Sequence, residues 1–377
     1  MSAAGAARDV LLVSGTRPEI IKLAPLYHAL RQAPWARVQW LHTGQHDEMA
    51  TQILACFDIE PDITLQRSGS SLLEFSTGCR QQLETVMLRQ PWSLVVVQGD
   101  TESAFQGALA AFYNRVPLAH VEAGLRTYNL ARPFPEEGLR QMISRLTRYH
   151  FAPTQRAQVA LQTEGIADEF IYLTGNTVID AQQWTCAHRG VKRQAPGRGH
   201  LLVTVHRREN WGSDVEEICR AIADIARQQP ELQVLFPVHL NPVIQGPVHA
   251  ILGNISNVTL TAPLDYTGMQ QALADAWMVL TDSGGLQEEA PTFGVPVLVL
   301  RDETERPEAI EAGCALLIGA TRSAIVSEVT RLTHDTAAYT RMAQAGNPFG
   351  DGTASRQIVD ALARSLADAP VAMPALG

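Results

Sequence analysis

The feature that most constrains this chain is a short apolar run followed by a turn and a helical stretch, repeated along the sequence in two successive series. The first series places β-rich runs at residues 10–14, 38–43, 94–98 and 118–121, and the second at 201–205, 234–238, 258–260, 278–280 and 295–300. Strands separated by helices run parallel, because a helical crossover returns the chain to the same end of the sheet. The expected fold is therefore α/β, with two Rossmann-like, doubly wound domains. A length of 377 residues agrees, since one core seldom accommodates so long a chain. The expected division places an N-terminal domain at 1–174 and a C-terminal one at 175–353. A turn cluster at 347–352 precedes a terminal helix, and the segment 354–377 is able to pack back on the first domain.

The two series open alike. Leu11-Leu12-Val13-Ser14-Gly15-Thr16-Arg17-Pro18-Glu19 aligns without gaps on Leu201-Leu202-Val203-Thr204-Val205-His206-Arg207-Arg208-Glu209, each an apolar strand that ends in a basic turn. The connection between the series contains the Gly-rich, basic stretch 189–200, which reads as surface.

Several classes of function are disfavoured. A formal net charge of −9 repels nucleic acid and anionic lipid, so a phosphate ligand needs a local basic site. The five cysteines are scattered without a C-x-x-C pair, which argues against a disulfide framework and a thiolate zinc site. No export signal opens the sequence and its apolar runs are too short to span a bilayer, so a soluble, cytoplasmic protein is expected. No G-x-G-x-x-G follows the first strand, and neither a Walker motif nor H-E-x-x-H occurs; no dinucleotide or metal cofactor is implied.

Parallel α/β sheets bind ligands beyond the carboxyl ends of their strands. Arg17 and Lys22 follow the first strand, Asp100 and Glu122 end the third and fourth, and His206 with Arg207 and Arg208 follows the first strand of the second series. The sharpest local signal is Thr281-Asp282-Ser283-Gly284-Gly285-Leu286-Gln287-Glu288-Glu289, a small-residue turn from strand to helix. Its glycines let backbone N–H groups approach phosphate oxygens, and Glu289, one turn on, could accept from ribose hydroxyls. The competing reading is a plain turn with a solvated acidic helix start. Arg17 and Lys22 could clamp phosphate or lie solvated, and Arg306 could bind a phosphate or merely pair with a neighbouring Glu. Asp100, Glu122 and Glu136, with His206, form an acid–base set, although a single carboxylate at a strand end is more often a cap or turn former. His120 and His150 are better placed than His206 to be core histidines bonded to backbone.

These motifs, together with Gly99-Asp100-Thr101, His120-Val121-Glu122-Ala123-Gly124-Leu125-Arg126-Thr127, Pro135-Glu136-Glu137, Thr174-Gly175-Asn176-Thr177, His206-Arg207-Arg208-Glu209-Asn210 and Glu305-Arg306-Pro307-Glu308, resemble the bacterial non-hydrolysing UDP-N-acetylglucosamine 2-epimerases over nearly the whole chain. The resemblance implies the architecture of B-type glycosyltransferases with a substrate cleft between the domains, a homodimer, and interconversion of UDP-GlcNAc and UDP-ManNAc. It implies Arg17, Lys22, His206, Ser283, Gly284, Gly285, Glu289 and Arg306 as UDP-sugar-binding residues, and Asp100, Glu122, Glu136 and His206 as the catalytic set. The chemistry is compatible. The hydrogen on sugar C2 lies beside an acetal carbon and is barely acidic, so direct deprotonation is implausible. Loss of UDP first creates an oxocarbenium-like centre that acidifies it, giving 2-acetamidoglucal, to which UDP re-adds after protonation of the other face.

Alternatives are a hydrolysing relative that releases UDP and ManNAc, a B-type glycosyltransferase, and a non-catalytic UDP-sugar sensor. Departures from the family pattern are Glu102-Ser103 in place of a threonine run and Ala131-Arg132 ahead of Pro133, the added arginine bearing on sugar specificity. Gln45, Glu136 and His239 match positions through which some members bind a second, activating UDP-GlcNAc. Gly69-Ser70 replaces an Arg-Gln pair there and Glu48 a glutamine, so weak or no activation is expected.

Overall fold

The computed structural model describes residues 7–45, 47–194, 199–207 and 212–367; the side chains of 47–49, including Glu48, and the motif residues Arg208, Glu209 and Asn210 lie outside the described set. The chain divides into two compact units, Met1–Trp184 with Phe349–Gly377, and Thr185–Pro348.

In the first unit the order is β1 (Arg8–Ser14), α1 (Arg17–Gln32), β2 (Ala36–His42), α2 (Asp47–Cys56), β3 (Ile63–Thr64), α3 (Leu72–Met87), β4 (Leu94–Gln98), α4 (Glu102–Tyr113), β5 (Leu118–Val121), α5 (Glu136–Leu146), β6 (Tyr149–Ala152), α6 (Gln155–Thr163), β7 (Ile171–Leu173) and α7 (Thr177–Arg189), the last running into the second unit. The seven strands are parallel in the order β3-β2-β1-β4-β5-β6-β7. β1 over Val10–Val13 and β4 over Leu94–Val97 are continuous apolar runs because helices cover both faces, and Leu11, Val13, Val95 and Val97 lie at the core.

The second unit continues with β8 (His200–Thr204), α8 (Ser213–Gln228), β9 (Val234–Pro237), α9 (Pro242–Leu252), β10 (Val258–Thr261), α10 (Tyr266–Asp275), β11 (Ala276–Thr281), α11 (Gly284–Glu289), β12 (Val297–Val299), α12 (Pro307–Glu311), β13 (Ala315–Leu317), α13 (Arg322–His334) and α14 (Thr336–Ala343). Its six parallel strands run β10-β9-β8-β11-β12-β13. The final helix, α15 (Ala354–Ala367), belongs to the first unit. It is fastened there by Ser355 N–H donating to Asp180 Oδ1 at 2.7 Å, by Arg8 donating to the Leu366 carbonyl at 3.1 Å, and by Tyr172 and Ser365 hydroxyls 3.0 Å apart.

Both sheets reverse their winding direction between the first strand and its later neighbour, β1 beside β4 and β8 beside β11. Such a switch point leaves the loops after the two strands splayed apart, with an open crevice where ligands bind. The matched sequence openings therefore occupy equivalent places in the two sheets. The structure adds β3, β6, β7 and β13 to the strands expected from sequence; each has four residues or fewer.

Candidate functional site

In the first unit the turn after β1 has almost no room. A Cβ on Gly15 would stand 1.9 Å from Ser103 Oγ and 2.2 Å from Thr43 Oγ1, so only glycine fits. Pro18 sits in the first turn of α1 and Glu19 folds back, accepting from Gly15 N–H at 2.9 Å and Thr16 N–H at 2.6 Å. Arg17 is half-buried at this helix start. Lys22, one turn further, is buried and forms an ion pair with Glu122.

Glu122 ends β5 in the left-handed region, with φ 63°, a conformation costly for a residue with a side chain and held there by its surroundings. The carboxylate oxygen that meets Lys22 also accepts from Asn176 Nδ2 at 2.9 Å. Asn176 is in turn fixed by its N–H donating to the Phe349 carbonyl at 2.7 Å. Asp100 follows β4 beyond Gly99, whose φ of +72° suits glycine, and its carboxylate pairs with Arg140 of α5. Arg140 stands one helical turn after Glu136, so both project from the same side of α5. Glu136 is half-buried, and its Oε2 is buried with no hydrogen-bond partner among the described residues.

Glu137, the next residue of α5, is fully buried, with Oε2 3.5 Å from Arg140 Nη1. It accepts from Thr127 N–H at 2.9 Å, Tyr128 N–H at 3.0 Å and Gln141 Nε2 at 2.7 Å, which pins the loop between β5 and α5. Burial pushes its carboxyl up, but these donors and Arg140 outweigh burial and hold it below the usual range. His120 and His150 are buried and bonded to backbone carbonyls, His120 Nε2 lying 2.7 Å from Gly99 O. Burial pushes His120 down to about 3, so its imidazole is neutral.

In the second unit the switch point is organised around Asp282, whose side chain is 0% exposed. It accepts from His206 N–H at 3.0 Å, Arg207 N–H at 2.8 Å and His206 Nδ1 at 3.0 Å. Burial alone would push this carboxyl up; the imidazole and the two backbone N–H groups outweigh it and hold it below its usual range. An ionised carboxylate only accepts, so Nδ1 of His206 donates, on a side chain that is 42% exposed. Thr204 and Thr281 hydroxyls, 2.6 Å apart, join the two strand ends beneath.

Ser283 caps α11 without using its hydroxyl as the cap, and Gly284 and Gly285 open the helix. Glu289 is buried and accepts from Gln270 Nε2 at 2.7 Å. Arg306 pairs with Glu288, a residue that is 2% exposed, and its backbone N–H donates to Thr304 Oγ1 at 3.1 Å. Thr304 donates to Gln287 at 2.6 Å, which ties the arginine's loop to α11.

Within the first unit the structure thus connects Lys22 with Glu122, and Asp100 through Arg140 to the helix of Glu136. Within the second it gathers His206, Ser283, Gly284, Gly285, Glu289 and Arg306 around β8, β11 and α11. Sequence reasoning passed over Glu19, Arg140, Asn176, Asp282 and Glu288 as working residues. Glu19, Asn176, Asp282 and Glu288 lie inside the motifs quoted above, and Arg140 was signalled by its four-residue spacing from Glu136. Among the described residues, no group of three or more His, Cys, Asp or Glu could hold a metal ion, and no helix is long and apolar enough to cross a membrane.

Comparison with known proteins agrees with this arrangement. Residues 28–363 match the family model described as UDP-N-acetylglucosamine 2-epimerase. The UDP-N-acetylglucosamine 2-epimerase of Escherichia coli K12 is 44% identical over 367 residues, covering 94% of this chain and 98% of that protein. The crystal structure of UDP-GlcNAc 2-epimerase from Neisseria meningitidis bound to UDP-GlcNAc superposes with a TM-score of 0.86 at 39% identity, covering 94% of this chain and all (100%) of that one. The UDP-GlcNAc 2-epimerase of Methanocaldococcus jannaschii does so with a TM-score of 0.79 at 30% identity, covering 95% and 99%. With the motifs, both sheets and near full-length relatives in agreement, the chain belongs to the UDP-N-acetylglucosamine 2-epimerase family.

Proposed function

We propose that this enzyme interconverts UDP-GlcNAc and UDP-ManNAc without net hydrolysis, by eliminating and re-adding UDP. The observation that carries the reading is the pair of strand-end constellations: three carboxylates, Asp100, Glu122 and Glu136, in one unit, and a basic turn with an oriented histidine in the other. The C1–O bond breaks with its electron pair leaving on the diphosphate, and a base takes the C2 proton, forming the C1=C2 bond of 2-acetamidoglucal. Reprotonation of C2 from the opposite face and attack of the diphosphate oxygen on C1 complete the inversion. Acid and base groups placed on the two faces of the ring serve the two proton transfers. Arg17, Lys22, His206, Ser283, Gly284, Gly285, Glu289 and Arg306 are the proposed substrate contacts, and cationic groups among them stabilise the charge gained by the leaving diphosphate.

No redox cofactor or metal enters this route, and a cytoplasmic location fits a nucleotide-sugar substrate. A homodimer is proposed as well; exposed Leu88, Phe112 and Tyr113 at the ends of α3 and α4 offer an apolar surface that light scattering of a Phe112→Glu variant would probe.

The decisive measurement is incubation with UDP-GlcNAc alone in heavy water. Deuterium at C2 with the UDP-sugar retained is the expected result. Free UDP with free ManNAc would instead identify a hydrolysing enzyme. Asp100→Asn, Glu122→Gln and His206→Ala should each lower kcat by about 10²- to 10⁴-fold.

A further inference from the structure

The three residues Gly99-Asp100-Thr101 are each gripped by a different side chain. His120 of β5 reaches the Gly99 carbonyl at 2.7 Å, Arg140 of α5 pairs with the Asp100 carboxylate, and Thr101 donates its hydroxyl to Glu19 Oε1 of α1 at 2.5 Å. The last contact differs from the others because Glu19 also holds a second turn. Its Oε2 accepts from Gly15 N–H at 2.9 Å and Thr16 N–H at 2.6 Å, immediately before Arg17. One carboxylate, 1% exposed, therefore joins the turn after β1 to the turn after β4, the two sides of the switch point.

Capping explains only half of this. A glutamate three residues after a threonine cap bonds back to the cap's N–H, which accounts for Oε2. It does not account for Oε1, which is spent on a residue 82 positions away. Nor does it account for the cost of burying a carboxylate, which burial pushes up to about 7 despite its donors. We propose that Glu19 is a positioning residue for epimerisation, setting the spacing between Arg17 and Asp100 through the hydroxyl of Thr101. The inference rests on the reading of Asp100 as an acid–base group and Arg17 as a diphosphate contact. A base displaced by a fraction of an ångström loses rate while a substrate anchored elsewhere keeps its affinity.

The test compares Thr101→Val, Thr101→Ser and Glu19→Gln with Thr154→Val and Asp100→Asn, using initial rates on UDP-GlcNAc and thermal melts. Thr101 also caps α4 by accepting from Ala104 N–H at 3.1 Å, and Thr154 caps α6 in the same way at 3.2 Å from Ala157 N–H, at the start of the helix after β6. Thr154→Val therefore reproduces the stability loss of a missing cap, about 1 kcal/mol, at a different helix start. The expected result is a fall in kcat of about tenfold to a hundredfold for Thr101→Val and Glu19→Gln with KM changed less than about threefold. Thr101→Ser restores the rate, and Thr154→Val leaves kcat unchanged. A Thr101→Val enzyme with wild-type kcat, or a Thr154→Val enzyme that loses as much, overturns the positioning role while Asp100→Asn remains inactive. Full activity of Asp100→Asn removes the underlying reading, and the positioning role with it.

Discussion

Asp282→Asn perturbs the second unit without changing side-chain volume. Three donors converge on the native carboxylate, at 2.8 Å from Arg207 N–H and 3.0 Å from both His206 N–H and His206 Nδ1. An amide oxygen can serve two of them, and the third then faces the NH2 group, donor against donor. A hydrogen bond to a charged group contributes about 1.5–3 kcal/mol, so losing one and opposing another pair should cost about 2–4 kcal/mol. That equals about a 30- to 1,000-fold rise in the opening equilibrium of this turn. The turn carries His206, whose Nδ1–H loses the acceptor that fixes the tautomer, so turnover should fall together with local stability, by up to about 10²- to 10⁴-fold. Hydrogen exchange of the full chain, followed in a peptide covering residues 201–207, measures the first effect and initial rates on UDP-GlcNAc the second. Native protection of the His206 and Arg207 amides with wild-type turnover would refute the assignment of Asp282 as the holder of this turn.

Three further outcomes follow from the structure. Burial raises Glu19 from an ordinary 4.5 to about 7, so its contribution to stability is fully present below about pH 4.5 and is lost as pH rises through 7. A Glu19→Gln variant should lack that loss, about 3 kcal/mol for such a shift, in urea melts at pH 4.5 and 8, and an unchanged pH dependence would contradict the burial argument. The Cys79 and Cys219 thiols are pushed up to about 12 and that of Cys314 to about 11, in each case mainly by burial. Thiol reagents at pH 8 should therefore spare these three in the native enzyme and label all five cysteines only after unfolding; rapid native labelling of more than two would disagree. Finally, Gln45 Oε1 accepts from Ser103 Oγ at 2.5 Å, Arg67 is turned onto the Gln45 carbonyl, and Gly69 stands where an arginine fork would be needed. Progress curves from pure UDP-ManNAc should start without delay, and a long lag abolished by traces of UDP-GlcNAc would show an activating site after all.

What the sequence disclosed was governed by distance along the chain. Asp100, Glu122 and His206 were visible because buried parallel strands are apolar runs and polar residues just after each mark its carboxyl end, whereas Asp282 was visible only as part of such a turn and not as the carboxylate that holds it. The ends of β3, β6, β7 and β13 were not visible, since two to four residues, some polar as in Tyr149–Ala152, show no resolvable period. Partners were hidden for the same reason. Arg140 meets Asp100 across 40 positions, Asn176 meets Glu122 across 54, and Thr101 meets Glu19 across 82. The pattern of one segment cannot announce such pairs. Glu288 and Glu289 illustrate a finer limit: they are neighbours in sequence, but helical rotation sends one to Arg306 and the other to Gln270.

The two sheets solve one electrostatic problem in two ways. A turn leaving the first strand exposes successive N–H groups beside a crevice meant for an anion, and each N–H left without a partner would be costly once shielded from water. In the first unit the N–H groups of Gly15 and Thr16 are taken by Glu19, which lies just downstream on the same turn. In the second, the N–H groups of His206 and Arg207 are taken by Asp282, which arrives from β11 on the other side of the switch point. Both arrangements satisfy the backbone with a buried carboxylate, so the turn's rigidity does not depend on a ligand being bound. The basic side chains that follow, Arg17 in one unit and His206 with Arg207 in the other, are thereby presented from fixed backbone. On the proposed route, each turn prepared in this way spends little ordering entropy when it meets a phosphate group, leaving more of the binding energy for the charge that develops as the C1–O bond breaks.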